Sequence, residues 1–294
     1  METITELVAT SVERFRDRPA LIEPIEGGQI SSLTYSRLQE RVHRFAGYLQ
    51  EQQMEKGDRV LIWATSGIDW MITYLATLLV GGVIVPLDVN SREDFLSRIA
   101  QTTEAKLLIT TAKQYATLKQ PPLPLVDIDR LPEGTLDTAK LPTVSGDDLA
   151  ELVFTSGTTG QPKGVMLSHR NITSNAIAAV KVVDIRASDR ALSILPLSHM
   201  FEMTIEVALL YSGASIVYAR TLVPETLLKL LSSQQATCMV LVPQALQLFL
   251  NGSEREVRRQ HKEKQWEMLH RIAPYLPFRL RRIPVSYTHL RAHE

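Results

Sequence analysis

Residues Trp70 to Leu87 run for 18 positions without a charge, so most of them have to be buried wherever they end up. A bilayer span needs about 20 predominantly apolar residues. Here Gly81-Gly82 interrupts the run, and Val83-Ile84-Val85-Pro86 follows. The stretch therefore predicts a buried helix to about Val80, a glycine stop and a short core strand. A strand apolar on both faces belongs to a parallel sheet covered by helices on either side.

The flanking sequence repeats that alternation. Ile4, Leu7, Val8, Val12 and Phe15 make a helical stripe. Pro19 ends it, and Ala20-Leu21-Ile22 reads as a strand. Thr34 caps a second helix with Leu38, Val42, Phe45 and Leu49 inward. Strands over 59–64 and 106–110 bracket a helix around Phe95–Ile99. Five prolines (Pro121, Pro122, Pro124, Pro132, Pro142) mark a loop-rich connector around one strand, 125–128. Beyond it the pattern gives a strand over 149–155, a helix from Ser168 to about Val183 and a strand over 190–195. A helix over 202–210, strands over 215–218 and 237–242 and a helix over 224–231 come next. A long helical region from Pro243 is expected to kink at Asn251-Gly252. The fold class is α/β, with largely parallel sheets sandwiched by helices.

The 294 residues suit two packed lobes. Lys+Arg and Asp+Glu balance at 32 each, which removes a global attraction to nucleic acid. The single Cys238 excludes an internal disulfide framework, and the acidic, amphipathic N-terminus shows no signal-peptide pattern. A cytoplasmic location is expected. The stretch 255–282 holds nine Lys/Arg against three Glu, interleaved with Trp266, Leu269, Ile272, Tyr275 and Leu276. Two readings stand for it: a solvated helix face, and peripheral contact with an anionic membrane.

The chemistry concentrates in Thr155-Ser156-Gly157-Thr158-Thr159-Gly160-Gln161-Pro162-Lys163-Gly164-Val165. Leu152-Val153-Phe154 leads in and Val165-Met166-Leu167 leads out, so the loop joins two strands. Glycines let backbone N–H groups turn toward a polyanion, hydroxyls add donors and Lys163 adds charge. The spacing is not that of a Walker loop, because Pro162 precedes the lysine and Gly164 follows it. It is not the dinucleotide fingerprint either.

The string Thr155–Val165, with its continuation Met166-Leu167-Ser168-His169-Arg170-Asn171, resembles the signature loop of the adenylate-forming superfamily. That superfamily comprises acyl-CoA synthetases, peptide-synthetase adenylation domains and beetle luciferases. Leu33–Leu38 and Leu79–Asp88 match it too, in the expected order. The resemblance covers about residues 1–284 and implies the N-terminal part of the large domain of that fold. It implies that a carboxylate attacks Mg·ATP to give an acyl-adenylate and pyrophosphate, and that coenzyme A then takes the acyl group. On this resemblance Thr155, Ser156, Gly157, Thr158, Thr159, Gly160, Lys163 and Gly164 bind ATP. Lys163 and His199 are the expected catalytic residues. Mg²⁺ is implied, with no ligand assigned.

The second informative string is Leu195-Pro196-Leu197-Ser198-His199-Met200-Phe201-Glu202. On its own His199 reads as a structural histidine. The string looks like the acyl-CoA synthetase form of the motif, which implies that His199, Met200, Phe201 and Glu202 meet the carboxylate substrate. Amino-acid-activating domains tend to have Phe-Asp here, and no Asp occurs between Leu192 and Arg220. The Met-Phe-Glu ending resembles long-chain fatty acyl-CoA synthetases. Residues 177–183 and 203–210 are candidate walls of an acyl tunnel, against the plainer reading that they are core. His43, His261 and His270 are taken as structural, His169 as a helix-start residue, and no spacing suggests a metal cage.

The alternatives are ligation of another carboxylate, acyl transfer to a carrier protein and a non-catalytic nucleotide-binding or inert fragment. The resemblance also implies an adenine-gripping segment, a ribose-binding Asp and a small C-terminal domain, none of which this chain contains. Residues 285–294 look like a non-native tail. The expectation is that these 294 residues alone are poorly soluble and inactive.

Overall fold

The computed structural model describes residues 2–25, 29–155 and 163–272. In chain order the elements are α1 (Ile4–Phe15), β1 (Pro19–Pro24), β2 (Ile30–Thr34), α2 (Tyr35–Glu51), β3 (Arg59–Trp63) and α3 (Ile68–Leu79). Then come β4 (Val83–Leu87), α4 (Glu93–Thr103), β5 (Leu107–Thr110), α5 (Ala112–Tyr115) and β6 (Leu125–Asp127). The hairpin β7 (Leu149–Thr155) and β8 (Lys163–Ser168) leads to α6 (His169–Val183), β9 (Arg190–Ser193) and α7 (Met200–Ser212). The described residues end with β10 (Ser215–Tyr218), α8 (Pro224–Ser233), β11 (Cys238–Met239), α9 (Pro243–Arg259) and α10 (Glu263–Ile272).

Two sheets organise these elements. A six-stranded sheet has the order β6-β5-β3-β4-β7-β8, and a five-stranded sheet has β11-β9-β10-β1-β2. Each is parallel except at one edge, where β8 and β2 pair antiparallel with their chain neighbours. This is the sandwiched α/β class that the sequence implies. The uncharged run resolves as expected into α3, the left-handed Gly81 at φ +75° and β4. Among the described residues no helix is long and apolar enough to cross a membrane.

Pleating splits the apolar strands between two cores. Val60 and Ile62 of β3 join α1, α2, α3, α6 and α7 in the larger core, which also takes in Leu21, Ile216 and Tyr218 of the other sheet. Leu61 and Trp63 turn to the opposite side and pack with Val85, Leu87, Leu96 and Ile99. That is why β3 and β4 carry no polar alternation. The caps agree with the sequence as well. Thr34 accepts from the Arg37 N–H, and Ser168 with Asn171 forms a reciprocal capping pair at α6.

Three features differ from expectation. The chain before α2 is a strand, because β2 turns back on β1 from Pro24↔Ile30 to Pro19↔Thr34. β11 is only two residues long. Its register pairs Cys238 with Ala191 and Met239 with Leu192 and goes no further, against the six residues expected. Finally, α9 continues through Asn251-Gly252, and the break falls at His261, which has φ +52°. An interior glycine costs a helix only about 1 kcal/mol, which a 17-residue helix absorbs.

The compact unit of residues 2–222 and 226–240 holds both sheets. A second unit takes residues 223–225 and those from 241 onward, including α9 and α10. In α10 Met268 and Ile272 are exposed.

The proline-rich connector is fastened to α2. Gly134 N–H donates to the Arg44 carbonyl at 2.9 Å, and Asp137 exchanges two bonds with the Gln50 amide at 3.0 and 3.1 Å. Gly47 makes this approach close. A Cβ there would lie 2.6 Å from backbone atoms of Gly134, Thr135 and Leu136. Helix propensity favours Gly47→Ala by about 1 kcal/mol, whereas displacing packed backbone costs about 1–3 kcal/mol or more. The clash is expected to win, so Gly47→Ala should lower the urea midpoint. A raised midpoint would show that the connector yields freely.

Candidate active site

The signature hairpin projects from the carboxyl edge of the six-stranded sheet, since β7 runs parallel to β4. Ligands of open α/β sheets gather at that edge. Register pairs Phe154 with Gly164 and Thr155 with Lys163, so Thr155 and Lys163 face each other across the hairpin mouth. Lys163 and Gly164 are exposed. A Cβ on Gly164 would press on the Phe154 ring at 3.2 Å. Ser156, Gly157, Thr158, Thr159 and Gly160 lie outside the described residues, as do Gln161 and Pro162.

His199 sits at the corresponding edge of the other sheet. It is the N-cap of α7, exposed, and its side chain makes no capping bond. Its N–H donates to the Pro196 carbonyl at 3.0 Å, which closes the turn after β9. Met200 and Phe201 are 42% and 54% exposed, beside His199 in the chain. Glu202 differs from its neighbours in the string: it is 2% exposed and accepts a 2.8 Å hydrogen bond from the Ser193 hydroxyl. Ser198 Oγ is buried and has no partner among the described residues.

The loops of the two sheets meet here. The Leu197 N–H donates to Ser66 Oγ at 2.9 Å, joining the turn after β9 to the segment after β3. Next to it, the buried Glu23 pairs with the half-exposed Arg220 and accepts from the Ile68 N–H at 3.4 Å, at the start of α3. Gly67 leaves room for this pair, since a Cβ there would fall 2.7 Å from Glu23 Oε1 and 2.9 Å from Arg220 Nη2. Burial raises the Glu23 carboxyl above its ordinary value, against the pull of Arg220. The structure thus brings Thr155 opposite Lys163 and collects 198–202 on one turn. Among the described residues no hydrogen bond joins Lys163 to His199.

Sequence reasoning missed the buried acids. Glu206, one turn after Glu202, is fully buried and accepts from the Tyr218 hydroxyl at 2.7 Å. Glu151, in the middle of β7, is also fully buried, with no partner for either oxygen among the described residues. Burial pushes Glu151 up to about 8. A signal for Glu206 was available: it stands i+4 from Glu202, on the same face of α7. His169, expected at a helix start, is the first residue of α6, and its buried Nδ1 accepts from the Ile4 N–H at 3.3 Å. Burial lowers it to about 4.

Of the two candidate tunnel walls, Met203, Val207, Leu209 and Leu210 are core residues. Val182 and Val183 are exposed at the end of α6. Among the described residues no group of three His, Cys, Asp or Glu side chains could cage a metal.

Comparison with known proteins places the chain in a family. A family model described as AMP-binding enzyme matches residues 8–286. Tyrocidine synthase 3 of Brevibacillus parabrevis is 31% identical over 75% of this chain and 4% of its own length. The medium-chain fatty-acid–CoA ligase of Escherichia coli K12 is 31% identical over 71% of this chain and 41% of its own. The Klebsiella oxytoca NpsA N-terminal subdomain, solved in complex with 3-hydroxyanthranilyl-AMSN, superposes with a TM-score of 0.70. It is 26% identical and covers 82% of this chain and 60% of that structure. The chain spans about half or less of the curated relatives it matches.

Proposed function

The chain belongs to the AMP-binding enzyme family, and we propose that it is the N-terminal part of a ligase that joins a fatty acid to coenzyme A through an acyl-adenylate. The observation that carries this reading is the hairpin mouth, where Thr155 and Lys163 bracket a Gly- and Thr-rich loop at the carboxyl edge of a parallel sheet. The His199 turn leads off the neighbouring sheet and contains no Asp.

In the first step a carboxylate oxygen bonds to the α-phosphorus of ATP, and the bond to the bridging oxygen breaks. Pyrophosphate leaves with that electron pair, so negative charge grows on the leaving group. In this reading the Lys163 ammonium and N–H groups of the Gly- and Thr-rich loop meet that charge. His199, exposed at an uncapped helix start, orients the carboxylate by hydrogen bonding. Magnesium enters with ATP, and no side chain of this chain is assigned to it. In the second step the coenzyme A sulfur, as thiolate, attacks the acyl carbon and AMP leaves.

Within this class a long-chain fatty acid is the substrate we favour. The Met-Phe-Glu ending of Ser198–Glu202 resembles the long-chain form, and a long-chain-fatty-acid–CoA ligase is among the relatives. A second reading, activation of an aromatic acid, is supported by the aryl group named in the NpsA complex. ATP–pyrophosphate exchange decides between them. The complete protein that carries this chain should exchange with palmitate at least about tenfold faster than with octanoate, an aromatic acid or an amino acid. Preference for the aromatic acid would establish the second reading. Thermal stabilisation by ATP with no exchange would leave a nucleotide-binding role.

A further inference from the structure

Beneath the His199 turn lies a buried polar row that the reaction above does not use. Ser193 ends β9, its register partner Tyr218 ends β10, and Ile22↔Val217 sets Glu23 beside Tyr218 in the next strand. From α7, Glu202 accepts from Ser193 at 2.8 Å and Glu206 accepts from Tyr218 at 2.7 Å. All five side chains belong to buried residues.

The Ser193–Glu202 bond spans the turn. It links the last residue of β9 to the first turn of α7, so the six residues from Ile194 to His199 are closed at their base. Two further bonds hold the same segment, Leu197 N–H to Ser66 Oγ and His199 N–H to the Pro196 carbonyl. We propose that Glu202 is a positioning residue for carboxylate binding: by clamping Ser193 beneath the turn, it fixes the orientation in which His199, Met200 and Phe201 are presented.

This assignment rests on the reading of that turn as the carboxylate site. It replaces direct substrate contact by Glu202 with action through Ser193. A carboxyl is a poor choice for packing alone, because burying a polar group costs free energy that leucine avoids. Its value here is one directed bond across a turn. Burial raises both acids, and the charge of Glu202 adds to the rise of Glu206. Either form of the Glu202 carboxyl accepts the Ser193 bond, and the amide oxygen of glutamine can accept it too.

The test uses the complete protein with Glu202→Leu, Glu202→Gln, Ser193→Ala and, as a control of equal depth, Glu206→Leu. In pyrophosphate exchange Glu202→Leu should raise the carboxylate KM by about tenfold, with the ATP KM within about twofold. Glu202→Gln should recover most of that loss. Ser193→Ala should resemble Glu202→Leu, and the double variant should be no worse than Glu202→Leu alone. Glu206→Leu should lower Tm without the KM change.

Equal KM for Glu202→Leu and wild type would overturn the proposal, and so would failure of Glu202→Gln to recover. If wild type exchanges with no carboxylate, the enzymatic reading falls, and the His199 imidazole resonances still test the clamp. They should shift in Glu202→Leu and return toward wild type in Glu202→Gln. Resonances identical in all three would sink it.

Discussion

Glu151→Gln is expected to stabilise the protein at pH 8 and to flatten the dependence of its stability on pH. Glu151 sits in β7 between Ile84 of β4 and Leu167 of β8, next to a bulge at Leu149–Glu151. Its carboxyl is fully buried, and neither oxygen has a partner among the described residues. Burial lifts it from the ordinary 4.5 to about 8 in the folded chain. Between those values the folded state holds a proton that the unfolded state has released, so stability falls as pH rises. Below pH 4.5 both states are protonated and the penalty is absent; above about 8 it is complete.

The difference corresponds to about 4–5 kcal/mol, an upper figure for a site that water can reach on relaxation. Glutamine keeps the shape and never ionises. Urea midpoints at pH 5 and pH 8 measure the effect. The midpoint of Glu151→Gln should exceed that of wild type at pH 8 and lie close to it at pH 5. Glu206 is raised in the same direction and leaves a residual slope. An unchanged slope in Glu151→Gln would mean that the carboxyl finds a partner when it ionises.

Lys163→Ala should lower kcat/KM for ATP–pyrophosphate exchange by about 10–150-fold in the complete protein, the equivalent of one charge-assisted hydrogen bond of about 1.5–3 kcal/mol. Lys163 is exposed at the hairpin mouth and forms no salt bridge among the described residues. Folding does not depend on its ammonium group, so Tm should change by less than the equivalent of about 0.5 kcal/mol. Lys163→Arg preserves the charge but substitutes a rigid fork for a mobile ammonium, and should recover only part of the rate. Normal exchange by Lys163→Ala would remove the lysine from the phosphate site. A large fall in Tm would recast it as structural.

Most of the architecture is written in local pattern. Thr34, Ser168 with Asn171, and Gly81 act through bonds or dihedrals within a few residues of themselves, so each can be read from its neighbours. What escapes such reading depends on partners far away in the chain. Ile30-Ser31-Ser32-Leu33 has little strand character, yet it is held as β2 by the backbone of β1.

Glu151 illustrates the same limit at the candidate site. An acid between Ala150 and Leu152 looks like the wet side of a strand, but β7 has no wet side at that point. The site residues divide in the same way. Lys163 and His199 are recognisable because the sequence around them is distinctive. The role of Glu202 depends on Ser193, nine positions earlier, and on a strand end that only the folded sheet defines.

The docking of residues 133–137 on α2 bears on how this protein can be cut and rebuilt. By composition the connector is the obvious place for a protease to nick the chain or for an engineer to insert a tag. Its backbone is instead held against α2 at Arg44, Gly47, Gln50 and Glu51. A protease needs an extended, detached substrate, and this segment becomes one only when it peels away from the helix. The polypeptide is thereby spared at its most loop-like stretch, and a split-protein or circularly permuted version needs its new termini elsewhere.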